Sequence, residues 1–501
     1  MKSLTEGLLF IIKNSFKEPP ERAVLFIFRL LIQEDLLKGI NLKMNKTETI
    51  AAISTAMNSA GIGIVRISGD EAFDIIKKIF RPMKKKDISA VSSHTVHYGN
   101  IVDGDEVVDE VLVLIMKAPH TYTREDTVEI DCHGGMYVLK RTLDLVIKNG
   151  ARPANPGEFT QRAFLNGRID LSQAEAVIDV INAENDYALK SAVGQLKGSV
   201  SEKIKSLRER ILEQTAYIEA ALDDPEHYEM EGYGETLYPV LEDCLKEIDA
   251  LIDSSEDGRI LKEGIKTVIL GKPNAGKSSF LNAILGEERA IVTDIAGTTR
   301  DILEESVRLK DITLNIVDTA GIRKTEDVIE KMGVDKAKEY AKDADLIVFI
   351  ADTSVPLDSS DYEIIDLIQG KKTITLLNKR DLEQKCDTEK LKSLIKGPFI
   401  DCSIKEGRGI EEFEETVRQM FYQKDISFND QVYITNARQK AALVSAKESL
   451  KSAMESIKAG MSEDFYTIDL MDAYSSLGEI IGESVEDDLA DEIFSKFCMG
   501  K

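Results

Sequence analysis

The sequence lacks the marks of several common protein classes. Its 501 residues hold five cysteines, Cys132, Cys244, Cys386, Cys402 and Cys498, odd in number and never in a C-x-x-C pair. Neither a disulfide framework nor a zinc site is indicated, and a reducing, cytoplasmic compartment is expected. There is no low-complexity tract and no long apolar run. The stretches Leu8 to Ile12 and Ala23 to Ile32 are broken by Lys, Glu, Pro and Arg, well short of the roughly 20 residues that span a membrane. Neither reads as a signal peptide or an anchor. A basic excess is missing too: 64 basic and 89 acidic side chains give a formal charge of −25, which excludes indiscriminate coating of nucleic acid or anionic lipid. Any nucleic-acid partner must be met locally. The acidity lies in residues 164–501.

What is present is a soluble globular composition, 43% hydrophobic and 31% charged, in a chain too long for one hydrophobic core. Residues 1–43 look unlike the rest of the chain, and Met44 opens an ordinary domain start, so translation from Met44 is one expectation. From Thr49 to about Phe164, β-type runs such as Ile62 to Ile67 and Val107 to Met116 alternate with turns and short helical patterns such as Tyr137 to Lys148, an α+β domain over 44–164. Helical spacing then takes over in 165–263, as in Ile204, Leu207, Ile211, Leu212. It returns in 423–501, so a helical region is split around an inserted segment, 264–422. Two separate helical units are the alternative.

That inserted segment carries the most specific chemistry. Thr267 to Leu270 is a β-branched strand running into Gly271-Lys272-Pro273-Asn274-Ala275-Gly276-Lys277-Ser278 and then the helical run Ser279 to Leu285. The order strand, glycine loop, helix is that of a P-loop: backbone N–H groups of Asn274, Ala275, Gly276 and their neighbours face phosphates, Lys277 reaches the β and γ phosphates, and Ser278 ligates magnesium. A second strand, Leu314 to Val317, ends in Asp318-Thr319-Ala320-Gly321, with a carboxylate for the magnesium shell and an N–H for the γ phosphate. A third, Thr373 to Leu377, ends in Asn378-Lys379-Arg380-Asp381. There Asp381 can accept from guanine N1–H and N2–H₂, a donor pair that adenine does not offer. Ser403-Ile404-Lys405 follows Phe399-Ile400 where a base-supporting loop should close the pocket.

Hydrolysis needs a group to orient water, and the position after Asp318-x-x-Gly321 is Ile322, which cannot. Glu326, Asp327 and Glu330 are candidates, with a solvated acidic face as the plain alternative. The loop Ile291 to Asp301 carries hydroxyls and carbonyls suited to hard cations. Thr299 is the expected second magnesium ligand, and a monovalent cation held by Asn274 could supply the positive charge that an arginine finger supplies elsewhere.

The P-loop from Gly271 to Ser279, the loop Asp294-Ile295-Ala296-Gly297-Thr298-Thr299-Arg300-Asp301 and the terminal Phe497-Cys498-Met499-Gly500-Lys501 resemble the MnmE (TrmE) family of tRNA modification GTPases. Gly63 to Gly69 and the region from Pro156-Gly157-Glu158-Phe159 to Asp170-Leu171 extend the resemblance over Met44 to Lys501. It implies an N-terminal α+β tetrahydrofolate-binding and dimerisation domain, a discontinuous helical domain, and an inserted Ras-like α/β P-loop GTPase domain. The potassium set it implies is Asn274, Thr293, Ile295 and Thr298, with Ser278 and Thr299 on magnesium, Glu330 orienting the water, and Ser279, Thr319 and Ala320 among the GTP contacts. The implied contacts to 5-formyltetrahydrofolate or a related tetrahydrofolate are Arg66, Glu129, Arg168 and Lys501, charges able to pair with the pterin edge and glutamate tail. Arg168 stands where many relatives have Lys, and Met499 where Ile is usual. Cys498 is either a reactive thiol or a small buried hydrophobe, and His133 reads as structural for want of partner ligands.

The resemblance further implies a homodimer, a heterotetramer with the flavoprotein MnmG or GidA, which brings FAD and uses NADH, and a reaction on carbon 5 of the wobble uridine of certain tRNAs. Two alternatives remain from the residues themselves. One is a switch of the Era or Der kind in ribosome assembly, without folate chemistry. The other is a folate-dependent transferase whose GTPase is only regulatory.

Overall fold

The computed structural model describes residues 48–84, 87–228, 230–289, 304–309, 312–317, 340–422, 432–483, 493–495, 497 and 500. The chain divides into two units. One takes in the chain up to Ile178, Gly194–Ile252 and the chain from Ala437; the other takes in Asp179–Val193 and Asp253–Asn436.

The first unit begins with β1 (Ile50–Ile53), β2 (Ile62–Ser68), α1 (Ala72–Ile79), β3 (Phe80–Pro82), β4 (Thr95–Asp103), β5 (Glu106–Met116), β6 (Thr127–His133), α2 (Met136–Lys148) and β7 (Arg152–Pro153). These strands form one sheet in the order β3-β4-β5-β6-β2-β1-β7, antiparallel except where β1 meets β7. Successive strand residues point to opposite faces. Val65, Ile67, Val113, Ile115, Val128 and Ile130 therefore pack together against Ile75, Ile76 and Ile79 of α1 and Leu139, Leu145 and Val146 of α2. The same alternation sends Arg66 and Glu129 to the other face, directly opposite each other in the β2–β6 register.

Five helices follow: α3 (Glu158–Leu165), α4 (Leu171–Ile181), α5 (Asp186–Leu196), α6 (Ser199–Asp223) and α7 (Tyr233–Glu263). The 25 residues of α6 bury Val200, Ile204, Leu207, Ile211, Thr215 and Ile218, a stripe at three- and four-residue spacing.

In the second unit the chain runs through β8 (Ile265–Leu270), α8 (Lys277–Arg289), β9 (Glu304–Leu309), β10 (Ile312–Val317), β11 (Leu346–Asp352), α9 (Ser359–Leu367), β12 (Thr373–Asn378), α10 (Thr388–Leu394), β13 (Phe399–Asp401) and α11 (Ile410–Tyr422). The sheet order is β13-β12-β11-β8-β10-β9, all parallel but for the edge strand β9. Parallel sheets are covered on both faces, so their strands are almost wholly apolar; Leu346 to Ala351 of β11 are all buried. One face packs on Phe280 and Ile284 of α8 and Phe413 and Val417 of α11. The other packs on Ile365 of α9 and Leu391 of α10. Since β10 lies on one side of β8 and β11 on the other, the loop after β8 sits at the point where the strand order reverses, the usual ligand crevice of such a sheet.

Beyond this unit, α12 (Ala437–Lys458) and α13 (Glu463–Ile481) pack on each other, and α13 packs on α6. Glu175 of α4 accepts from Arg438 at 2.9 and 3.0 Å and from Gln439 at 2.7 Å. Residues more than 260 positions apart are joined there. Among the described residues no helix is long and apolar enough to cross a membrane.

Candidate functional site

The loop after β8 has the form its sequence demands. Lys277, first residue of α8, donates from Nζ to the carbonyls of Gly271 and Lys272, each at 2.7 Å. Burial lowers its pKa below the usual lysine value, because a cation loses hydration there; a phosphate group would favour the charged form. Gly276 has φ +109°, and a Cβ on it would fall 2.3 Å from Asn378 Nδ2. Only glycine allows that approach. Asn274 takes the left-handed conformation, φ +61°, and is exposed at the loop's mouth along with Ser278 and Ser279.

The turns expected to meet the base are tied to the same loop. Asn378, at the end of β12, donates from Nδ2 to the Ala275 carbonyl at 2.8 Å and accepts at Oδ1 from the Ile404 N–H at 3.1 Å. One amide side chain thus joins the phosphate loop, the Asn378-Lys379-Arg380-Asp381 turn and the Ser403-Ile404-Lys405 turn. Lys379, also left-handed at φ +66°, lies 2.6 Å from Asp352 at the end of β11. Burial works against the Asp352 charge, yet hydrogen bonds from Lys379 and Ser354 hold its pKa below the usual carboxylate range. Asp381 is exposed and accepts from the Ser403 hydroxyl at 2.8 Å. That bond is the first cause of its lowered pKa, so the carboxylate is ionised where guanine donors can meet it.

Of the residues expected around the nucleotide, Asn274, Ala275, Gly276, Lys277, Ser278, Ser279, Asn378, Lys379, Asp381 and Ser403 therefore belong to one loop cluster. Thr293, Ile295, Thr298, Thr299, Asp318, Thr319, Ala320, Gly321 and Glu330 lie outside the described residues, as do Cys498, Lys501 and the Met44 start.

A second cluster occupies the first unit. Arg66 Nε donates to Glu129 Oε1 at 2.7 Å and Arg66 Nη1 to the Gly500 carbonyl at 3.2 Å. Its guanidinium lies 5.6 Å from the centre of the buried Phe159 ring, a cation–π distance. Arg168 lies 4.7 Å over the Tyr122 ring, and the Tyr122 hydroxyl pairs with Thr160 Oγ1 at 2.9 Å. Burial raises the Tyr122 pKa, against the opposing pull of the Thr160 bond and of both Arg168 and Arg66. Arg66, Glu129 and Arg168 are thus gathered around two aromatic rings.

The same unit holds a buried ion network that sequence reasoning missed. Arg162 donates to both carboxylate oxygens of Glu125, at 3.1 and 3.0 Å, and to Glu158 at 2.9 Å. Glu158 also accepts from Arg152 at 2.6 and 2.8 Å. Burial alone would raise the Glu158 pKa; the bonds from Arg152, the Asn155 N–H and Arg162 instead hold it down at about 2. The available signal was Pro156-Gly157-Glu158-Phe159. Gly157 has φ +69°, and a Cβ there would lie 2.5 Å from the Phe494 carbonyl oxygen, so the chain's C-terminal segment lies against that turn. His133 is exposed and paired with Asp109 at 2.7 Å, which raises its pKa; among the described residues no group of three or more His, Cys, Asp or Glu is placed to hold a metal.

The chain is similar to known proteins over most of its length. The family model described as MnmE helical domain matches residues 171–498, and that described as GTP-binding protein TrmE N-terminus matches residues 49–168. The tRNA modification GTPase MnmE of Lachnoclostridium phytofermentans is 57% identical over 457 residues, covering 91% of this chain and 100% of its own. That of Thermoanaerobacter pseudethanolicus is 53% identical over 457 residues, covering 91% and 99%. Among solved structures, the G domain of the T. maritima FeoB iron transporter is 26% identical, covers 32% of this chain and 99% of its own, and has a TM-score of 0.24.

Proposed function

The chain belongs to the tRNA modification GTPase MnmE family, and from that premise we propose that it is a potassium-dependent GTP hydrolase working on the wobble uridine of certain tRNAs. With a flavoprotein partner of the MnmG or GidA kind, which carries FAD and uses NADH, it installs an aminomethyl or carboxymethylaminomethyl group on carbon 5. It acts as a cytoplasmic homodimer within a heterotetramer. Its parts are a folate-binding domain at 44–164, helical segments at 165–263 and 423–501, and a nucleotide domain at 264–422.

The observation that carries this reading is the presence, in one chain, of the cluster around Asn378 and of the separate cluster around Arg66. At the first, Lys277 would meet the β and γ phosphates, Ser278 and Thr299 would hold magnesium, and Asp318 to Gly321 would complete the phosphate shell. Asn274, Thr293, Ile295 and Thr298 would hold potassium, whose charge would offset the charge developing on the phosphates, while Glu330 would orient the attacking water. The exposed, left-handed Asn274 supports its share in that set. In the second cluster, Glu129 accepts from the pterin edge and the cations Arg66, Arg168 and Lys501 meet carboxylates of the glutamate tail. A reduced folate bound there would supply the one-carbon unit. Cys498 lies next to this set in sequence and is its candidate thiol.

Hydrolysis measured in potassium and in sodium chloride tests the loop assignment. We expect a rate at least about tenfold higher in potassium; equal rates would reject it. Nucleoside analysis of tRNA from cells lacking the gene tests the rest, with loss of the modified wobble uridine expected. An unchanged nucleoside profile would favour a ribosome-assembly switch instead.

A further inference from the structure

Lys272 is the second residue of the phosphate loop, and its side chain turns away from solvent. It is 12% exposed, with Nζ 2.6 Å from Asp361 Oδ2 and 3.0 Å from Asp358 Oδ2. Both acids belong to the start of α9. Asp358 is its N-cap and accepts from the N–H groups of Ser360 and Asp361, while Asp361 Oδ2 accepts from the Asp358 N–H at 3.0 Å. The helix end is therefore closed by its own capping box. The lysine adds the countercharge that two neighbouring carboxylates, one of them buried with 3% exposure, require.

At its backbone the same residue does something different. The Lys272 carbonyl accepts from Lys277 Nζ at 2.7 Å and from the Ala275 N–H at 3.2 Å. A residue gripped by α9 through its side chain thus offers the carbonyl on which the phosphate-binding ammonium rests.

We propose that Lys272 is a positioning residue for GTP binding and hydrolysis: Asp361 and Asp358 fix its side chain, and its carbonyl sets Lys277 in place before the nucleotide arrives. Preorganisation of this kind lowers the cost of binding and places charge for the transition state. The effect falls on the β phosphate that GDP and GTP share and on the γ phosphate of GTP, and leaves base recognition at Asp381 untouched. It depends on neither the folate nor the potassium assignment.

The test uses the full chain with Lys272→Met, Lys272→Arg and Asp361→Asn. Asparagine keeps an acceptor for the Asp358 N–H, so α9 retains its cap, and arginine keeps the charge. Dissociation of a fluorescent GDP is followed well below each variant's melting temperature, with single-turnover GTP hydrolysis alongside. We expect roughly tenfold faster GDP release and slower hydrolysis for Lys272→Met and Asp361→Asn, with Lys272→Arg close to the parent and the preference for guanine unchanged in all three. Parental release and hydrolysis in Lys272→Met and Asp361→Asn, even with lowered melting temperatures, would overturn the proposal, since the pair would then only staple α9 to the loop. Equal impairment in Lys272→Arg would also overturn it, because charge would not be the cause.

Discussion

In the second unit the groups that would meet phosphate and base come from short contiguous runs after the parallel strands β8, β12 and β13 of one sheet, whereas Arg66 of the first unit meets Glu129 on the adjacent strand and Gly500 from 434 positions away. The cluster around Asn378 is joined largely through backbone groups and ends in exposed side chains such as Asp381. The cluster around Arg66 is built of side chains, in a unit that also holds a network of buried, mutually paired charges. A site made of local backbone can be written in a motif of eight residues. A site made of side chains on a pleated sheet needs the whole domain to fold first.

The largest effect is expected from Asp381→Asn. Without the carboxylate, guanine N1–H and N2–H₂ lose their charged acceptor, and GTP affinity should fall at least about a hundredfold. Calorimetry showing unchanged guanine preference would break the contrast at its firmer end. Folate binding should be unaffected.

Glu158→Gln comes next and probes the other region. It leaves Arg152 and Arg162 facing a neutral amide, and removing one partner of a buried pair costs about 3 kcal/mol. Urea titration of the full chain should show the loss in the first unit, with GDP affinity kept. The pH dependence has the sign of a lowered carboxylate pKa: stabilisation by Glu158 is fully present above its ordinary 4.5 and disappears as pH falls toward about 2. A parent and a Glu158→Gln variant that lose stability in parallel as pH falls from about 5 to about 2 would contradict this.

Tyr122→Phe is the gentlest probe. The ring under Arg168 remains and only the hydroxyl bond to Thr160 is lost, so about 1 kcal/mol in stability or a few-fold in tetrahydrofolate affinity is expected. A folate titration that collapses altogether would show the hydroxyl touching ligand, which would sharpen the account of that cluster.

The strands Ile62 to Ile67, Thr267 to Leu270 and Thr373 to Leu377 were legible because alternation and β-branched runs carry their own period, and each appears at its expected place. Gly276 and Asn378 were legible as motif members, though not the contact that makes the glycine obligatory. Arg162 and Glu125 were invisible, since two charged residues 37 positions apart look like ordinary surface until the fold buries them. Lys272 was masked by its setting: inside a phosphate loop, nothing in the sequence says that its ammonium turns toward α9.

By itself the sequence determined the class of ligand, because a glycine loop between strand and helix and an Asp381 at a strand's end act through chemistry contained within a few bonds. Tertiary structure alone decided which charges are paired, which are buried and which carbonyl Lys277 rests on. Those depend on the approach of residues distant along the chain, and only packing fixes such distances.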